Sequence, residues 1–200
     1  MRWLVLACAL AVALESPAFA QPVASPAYTV GDSWPHTVGR QIAVVKVEDG
    51  APIMAGPLAV CPTCLVHYHR NLAIRKGTDP AGKAGEAAKI DFLALGPEWK
   101  FYAFPLQVKK TWSFSAEGLL RGKPQRFDVS VVVAALEDVE TKAGRFKAFK
   151  MERTWTTTQA GQPSKFTDIV WFAPSAKFPV KFQSSRAGVK PGELTAYKVK

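Results

Sequence analysis

The stretch that decides the fold is residues 126–133, which read Arg-Phe-Asp-Val-Ser-Val-Val-Val. Its odd-numbered positions are all apolar, whereas its even-numbered positions up to Ser130 are charged or polar. Apolar side chains that recur every second residue are typical of a half-buried antiparallel strand. The stretch therefore predicts a strand with one face in a hydrophobic core and the other in water.

Similar strand signals recur along the chain at intervals of roughly ten residues, with turn residues between them. The further predicted strands are Gln41–Val47, Thr111–Ala116, Phe146–Thr157, Lys165–Phe172, Val180–Ser184 and Leu194–Val199. Helix-forming residues are concentrated in Pro80–Ile90, where two glycines weaken the signal. Because the strands do not alternate with helices, we predict an all-β fold. It is expected to be a single antiparallel open barrel, half-barrel or sandwich with at most one short helix.

The first twenty residues, MRWLVLACALAVALESPAFA, have the layout of an export signal. Arg2 is followed by the apolar run 3–14, a polar break and the small-x-small pattern that ends at Ala20. This run is too short to span a bilayer, and no other apolar stretch is long enough. A lipoprotein signal at Cys8 is the alternative, but it would leave a very short apolar region. We therefore predict a Sec-type signal peptide cleaved after Ala20, and a periplasmic or secreted protein.

The mature chain is predicted to consist of a flexible arm over 21–29 and a single β domain over 30–200. Its composition, 48% hydrophobic and 21% charged, excludes wholesale disorder, collagen and a polytopic membrane protein. Lys and Arg number 26 against 16 Asp and Glu, a net charge of +10, and cleavage removes one residue of each sign. In an exported protein this surplus favours anionic envelope material over nucleic acid as a partner. A solvated face that keeps the protein soluble explains the charge equally well.

A pair of cysteines, Cys61 and Cys64, has C-x-x-C spacing. A haem c site would need histidine directly after the second cysteine, where Leu65 stands. A thioredoxin-like redox pair would begin a helix, whereas the residues after Cys64 resemble a strand. Two other interpretations stay open, a structural disulfide, which export favours, and a compact zinc site with His67 and His69.

No catalytic constellation is apparent. Gly31-Asp32-Ser33 matches the nucleophile block of GDS-type esterases, but no histidine follows His69 to serve as the base. The sequence contains no Gly-x-Ser-x-Gly motif, Walker A motif or dinucleotide fingerprint. No acidic pair is singled out for glycoside hydrolysis either. We therefore predict no catalytic residue.

Four segments together resemble a group of exported bacterial β-domain proteins of unknown function. The segments are TVGDSW (29–34), FPLQVKKTW (104–112), ETKAGRFKAFKME (140–152) and IVWFAPSAKFPVKF (169–182). They are similar to the group's Gly-Asp-x-Trp opening, Pro-Leu-x-Val-Gly-Lys-x-Trp strand, Ala-Gly-x-Phe hairpin and final Trp-x-x-Pro…Val-Lys strand. Lys109 replaces the glycine of the second pattern, and Pro35-His36 follow Trp34 where tyrosine is common. The resemblance implies an antiparallel half-barrel or clam-like sheet, and it transfers no catalytic residue because none is established for the group.

Several recurrent residues have structural explanations. Gly31 and Gly144 suit turns that need a positive φ. The aromatic side chains Trp34, Trp112, Trp155 and Trp171 are either core residues or walls of a concave ligand-binding face. If the second is true, we expect an apolar cavity.

These observations predict a non-catalytic exported β domain of the cell envelope without a cofactor. It would bind an amphipathic or anionic envelope ligand, or act as an interaction module. The alternative is a metal- or thiol-dependent protein that uses Cys61, Cys64, His67 and His69, with zinc as the metal. The oligomeric state is not indicated by the sequence.

Overall fold

The computed structural model describes residues 21–56, 64–78, 99–120, 123–159 and 162–200. The predicted signal peptide (1–20) and the segment predicted as a short helix (Pro80–Ile90) lie outside these residues. The described part of the chain contains no helix that is long and apolar enough to cross a membrane.

The described strands form two antiparallel sheets in which neighbours in the chain are neighbours in the sheet. The smaller sheet contains β1 (Ser33–Pro35), β2 (Gln41–Glu48), β3 (Ala51–Ala55), β4 (Leu65–Tyr68) and β5 (Ile74–Thr78). The larger sheet contains β6 (Thr111–Leu120), β7 (Lys123–Thr141), β8 (Gly144–Gln159), β9 (Gln162–Ala173), β10 (Phe178–Ser184) and β11 (Gly192–Glu193). A 3-10 turn, Pro174–Ala176, joins β9 to β10. The predicted all-β fold is confirmed, and it is built from two open sheets.

The alternating stretch that predicted the first strand lies in β7. Phe127 and Val129 are buried, whereas Arg126 and Asp128, which alternate with them, are exposed. β7 pairs with β6 on one side and β8 on the other, so this stretch lies in an interior strand of the larger sheet, next to the edge strand β6. The pattern therefore identified both the strand and its buried face.

The C-terminal segment connects the two sheets. β11 pairs with β10, and the next residues reach β1, where Ser33 and Lys198 exchange backbone hydrogen bonds of 2.8 and 3.0 Å. The predicted strand Leu194–Val199 is reduced here to isolated bridges. Pro35 accepts a hydrogen bond from the Thr195 backbone N at 2.9 Å but has no N–H to return. The proline therefore interrupts the ladder.

The core beneath the sheets is rich in aromatic side chains. Trp34, Trp99, Phe149 and Phe172 are completely buried. Trp34 of β1 stacks on Phe178 of β10 with ring centroids 4.6 Å apart. Because stacked rings of this kind join the two sheets, the described strands share one core.

The segment 21–29, predicted as a flexible arm, makes hydrogen bonds to the rest of the domain. The backbones of Val23 and Leu106 exchange bonds of 2.8 and 2.7 Å. Tyr28 is buried, and its hydroxyl donates to the carbonyl oxygen of Lys177 at 2.6 Å. The Ser25 Oγ donates to the carbonyl oxygen of Arg70 at 2.6 Å, so the segment is bonded to loops next to both sheets.

The residues with a left-handed backbone include three positions singled out in the sequence. Gly31 has a φ of +93° and Gly144 a φ of +121°, which confirms the turns predicted for them. Lys109 has a φ of +71°, at the position where the related pattern has glycine. A residue with a Cβ is unfavourable in this region, so the substitution of glycine by lysine has a conformational cost.

Candidate functional site

The structure separates the predicted cysteine and histidine candidates into two environments. Cys64 and Val66 are completely buried, whereas His67 is only partly buried and His69, just after β4, is exposed. Cys64 therefore faces the core, away from His67. Cys64 carries no titratable thiol in the structure. Because Cys61 lies outside the described residues, its pairing with Cys64 stays a prediction.

The zinc interpretation gains no support from this arrangement. In the part of the chain that the structure describes, no three His, Cys, Asp or Glu side chains lie close enough together to hold a metal ion. His67 instead lies beside Thr78, whose Oγ1 is 3.3 Å from its Nε2.

The two histidines lie in a cleft on the smaller sheet, with a volume of about 250 Å³. It is formed by the turn between β2 and β3 together with β4, β5 and the turn that joins them. Its polar walls carry Glu48, Asp49, His67, His69, Arg70 and Arg75. This cleft is therefore not the apolar cavity that was expected from the sequence, because its walls are mainly polar and charged.

The shape of the cleft depends on a tight turn between β2 and β3. Asp49 and Gly50 have φ angles of +49° and +75°, as in the two-residue turns that favour Asp-Gly. The Nε of Arg70 donates to the carbonyl oxygen of Asp49. A Cβ on Gly50 would lie 3.1 Å from that same nitrogen. Gly50 thus leaves room for Arg70 to lie across the turn at one end of the cleft.

A second turn places His69 and Arg70. The His69 backbone N donates to the Ala73 carbonyl oxygen at 2.8 Å, and the Leu72 N donates to the His69 carbonyl oxygen at 2.9 Å. The Asn71 side chain accepts from the Ala73 N at 3.1 Å, and Leu72 is left-handed with a φ of +62°. Because these bonds close the loop on itself, His69 and Arg70 are held next to β4.

The charges around the cleft favour an uncharged His67. Partial burial and then the nearby Lys76 lower the pKa of His67, and Glu48 opposes them. The Nζ of Lys46 lies 2.7 Å from a Glu48 carboxylate oxygen, and this contact lowers the pKa of Glu48. Glu48 is therefore already paired, and the imidazole of His67 is neutral at pH 7.

The fixed charges nearest the cleft are predominantly positive. The cationic side chains are Lys46, Arg70, Arg75 and Lys76, and the anionic ones are Glu48 and Asp49. Four positive and two negative charges give a local net charge of +2. A polar cleft with two guanidinium groups and two imidazoles has the chemistry of an anion-binding site.

Sequence reasoning identified the histidines of this cleft but not its arginines. The segment His67–Lys76 contains five basic side chains and no acidic one, and this is the signal that could have identified Arg70 and Arg75. The two arginines meet the histidines only because the turn after β4 returns the chain along β5.

The four tryptophans predicted as core residues or ligand walls lie mainly in the core. Trp34 is 0% exposed and Trp155 is 4% exposed. Trp171 is 8% exposed, and its indole N–H donates to a Glu137 carboxylate oxygen at 2.7 Å. Trp112 is half-buried and lies on β6. None of the four lines the polar cleft, so a ligand-binding role for them stays a prediction.

Comparison of the sequence with protein-family models and with curated proteins finds no match. Among solved structures, one similar chain is the hypothetical lipoprotein YmcC from Escherichia coli, with a TM-score of 0.45 and 13% identity over 91% of this chain and 92% of that one. Another is a protein with a YmcC-like fold from Bacteroides fragilis, with a TM-score of 0.34 and 16% identity over 79% of this chain and 71% of that one. At these scores, neither protein transfers a residue role or a function to this chain.

Proposed function

We propose that this chain is an exported, non-catalytic β domain of the cell envelope, whose polar cleft binds an anionic group of an envelope ligand. The observation that carries the proposal is the convergence of His67, His69, Arg70 and Arg75 on one cleft of about 250 Å³. The predicted signal peptide and the net charge of +10 support the envelope as the location and a negatively charged partner.

Arg70 is the anchor of the proposed site. Its Nε is engaged by the backbone of Asp49, which fixes the plane of the guanidinium group. A guanidinium held in one orientation can donate two parallel hydrogen bonds to a phosphate or carboxylate group. The remaining N–H groups of Arg70 are thus the proposed primary contacts of the anion.

The size of the cleft favours a headgroup over an acyl chain. A water molecule occupies about 30 Å³ in the liquid, so the cleft has roughly the volume of eight waters. A phosphate group with a few neighbouring atoms fits this space. The chemistry shared by phosphorylated lipopolysaccharide, lipid headgroups and phosphate-bearing wall polymers is therefore the proposed ligand class.

The test is calorimetric titration of the purified mature protein with inorganic phosphate at low ionic strength. We expect saturable binding to the unmodified protein and at least about tenfold weaker binding to the double variant Arg70→Gln/Arg75→Gln, since each lost charge-assisted hydrogen bond is worth ~1.5–3 kcal/mol. Arg126→Gln is the control, because Arg126 is an exposed arginine of β7 outside the cleft.

Two results would overturn the proposal. The first is the absence of saturable binding, and the second is an equal loss of affinity in Arg126→Gln, which would show that only the overall charge matters.

A comparison of phosphatidylglycerol vesicles with soluble phosphate then identifies the source of the anion. If the unmodified protein binds the vesicles and Arg70→Gln/Arg75→Gln does not, the anion is a lipid headgroup. If the unmodified protein binds phosphate but not the vesicles, the anion is a soluble or polymer-borne phosphate.

A further inference from the structure

A row of polar side chains crosses the buried face of the larger sheet. Arg153 of β8 and Asp168 of β9 are register partners, and each is only 8% exposed. The rows on either side of them on this face are apolar, formed by Trp155 with Phe166 and by Met151 with Val170. We call Arg153, Asp168 and the adjoining Ser184 of β10 the polar row; Ser184 is the register partner of Asp168.

The guanidinium group of Arg153 has one nitrogen with a hydrogen-bond partner and one buried nitrogen without a partner among the described residues. Its Nη2 donates to the carbonyl oxygen of Phe101 at 3.2 Å, and its guanidinium carbon lies 5.0 and 5.1 Å from the ring centroids of Phe101 and Tyr102. Its Nε is buried and has no hydrogen-bond partner in the described part of the chain. A buried N–H without a partner costs about 1–3 kcal/mol, so this nitrogen is a donor in need of an acceptor.

The cost of burying the Asp168 carboxylate is also only partly offset by its neighbours. Burial raises the pKa of Asp168, and the opposing effects of Ser184, Arg153 and the Trp155 indole do not cancel it. Ionic groups buried without full compensation are often less stable than an apolar pair of similar volume. Polar residues that lower the stability of an otherwise apolar buried face are expected mainly at functional sites, such as binding sites.

The polar row approaches the surface at the β10 end. Ser184 and Phe166 are partly exposed, and the exposed Arg186 lies with its guanidinium carbon 5.5 Å from the centre of the Phe166 ring. Phe182, two residues before Ser184, is also partly exposed. The row therefore ends between two accessible aromatic side chains.

We propose that the polar row is the polar end of a second binding site, which takes an uncharged amphiphile through its hydroxyl groups. A hydroxyl can both accept from the Arg153 Nε and donate to the Asp168 carboxylate, whereas a sulfate group has no hydrogen to donate to Asp168 and a quaternary ammonium has no lone pair to accept from Arg153. The apolar part of the ligand would lie against Phe166 and Phe182. This site is distinct from the anion cleft of the smaller sheet.

The probe is octyl glucoside, an uncharged amphiphile with a hydroxyl-rich head, kept below its critical micelle concentration. Titration of the mature protein is followed by the NMR signal of the Trp155 indole N–H, assigned with Trp155→Phe. We expect a saturable shift of that signal. In Arg153→Met/Asp168→Leu we expect loss of saturable binding together with equal or higher stability, because a hydrophobic pair replaces a partly compensated ionic one.

A second variant keeps the test independent of folding. Asp168→Asn retains the shape of the side chain but removes its charge, and we expect about tenfold weaker binding of octyl glucoside. The control is Asp128→Asn on the exposed face of β7, which should bind as the unmodified protein does. The proposal is overturned if the unmodified protein gives no saturable shift, if Asp168→Asn binds unchanged, or if octyltrimethylammonium or octyl sulfate binds equally well.

Discussion

The Nζ of Lys177 lies 3.4 Å from a carboxylate oxygen of Asp32, and Asp32 is completely buried. The same carboxylate accepts from the backbone N of Thr29 at 3.0 Å and of Lys200 at 2.9 Å. Lys177 also donates to the Lys200 carbonyl oxygen at 2.6 Å. One buried carboxylate therefore ties the opening turn to the residue after the 3-10 turn and to the C-terminal segment.

This arrangement explains two of the motifs recognised in the sequence. Asp32 and Trp34 belong to the Gly-Asp-x-Trp segment, and Ala176 and Lys177 belong to the segment 169–182. The Trp34 indole N–H donates to the Ala176 carbonyl oxygen at 2.6 Å. Because the two motifs bind each other through Asp32, Trp34, Ala176 and Lys177, these four residues stabilise the fold.

Asp32→Ala is expected to lower the free energy of unfolding by about 3 kcal/mol, since it leaves buried donors and the Lys177 ammonium without their acceptor. Urea denaturation followed by tryptophan fluorescence measures the effect. Asp128→Ala is the matched control, because its carboxylate is exposed on β7, and its loss should stay below about 1 kcal/mol. Equal losses in the two variants would contradict the role given to Asp32.

Lys109→Gly is expected to stabilise the protein by about 0.5–1 kcal/mol. The left-handed backbone at Lys109, with a φ of +71°, is costly for a residue with a Cβ and free for glycine. The neighbouring Lys110→Gly should instead destabilise by a similar amount, because Lys110 does not have a positive φ and glycine only adds flexibility to the unfolded chain. Thermal unfolding of both variants distinguishes the two effects, and a loss of stability in Lys109→Gly would refute the explanation.

Cys61 and Cys64 are predicted to form a disulfide in the exported protein, where thiols are oxidised when geometry permits. A thiol assay on denatured mature protein should find no free thiol before reduction and two per chain after it, because Cys8 lies in the predicted signal peptide. Metal analysis of the same sample should find no stoichiometric zinc. Two free thiols with one equivalent of zinc would favour the metal interpretation instead.

Anion binding in the cleft is expected to strengthen as the pH falls from about 7.5 to 5.5. In the free protein, burial and Lys76 lower the pKa of His67. A bound anion favours the imidazolium and raises that pKa, so the complex takes up a proton and the affinity rises at lower pH. Sulfate is the suitable probe, since it does not titrate in this range. His67→Gln should flatten the profile, and an affinity for sulfate that is independent of pH in the unmodified protein would refute this coupling.

The sequence predicted strands well where one face is buried over many residues, as in β7, and poorly where strands are short. β3 contains Pro52, and β5 reads Ile-Arg-Lys-Gly-Thr without alternation, so neither was predicted. Their positions follow from pairing with β2 and β4. Local patterns do not contain that information.

The residues of the two proposed binding sites could likewise be predicted only in part from local sequence patterns. His67 and His69 stand out in the sequence because they are adjacent to a cysteine pair. Arg70 becomes a candidate only when the β2–β3 turn is seen to bind it. Arg153 and Asp168 are 15 residues apart in the chain, and only the register of β8 with β9 brings them together.

The most direct test of the anion cleft uses the three histidines of the chain as reporters. His36 contacts the carbonyl oxygens of Trp34 and Pro179 outside the cleft, whereas His67 and His69 line it. Imidazole signals in ¹H–¹³C NMR spectra are recorded as inorganic phosphate is added to the mature protein. We predict saturable shifts of His67 and His69 with one common dissociation constant and an unchanged His36. Shifts of all three histidines alike, or no saturable shift of His67 and His69, would contradict the proposed site.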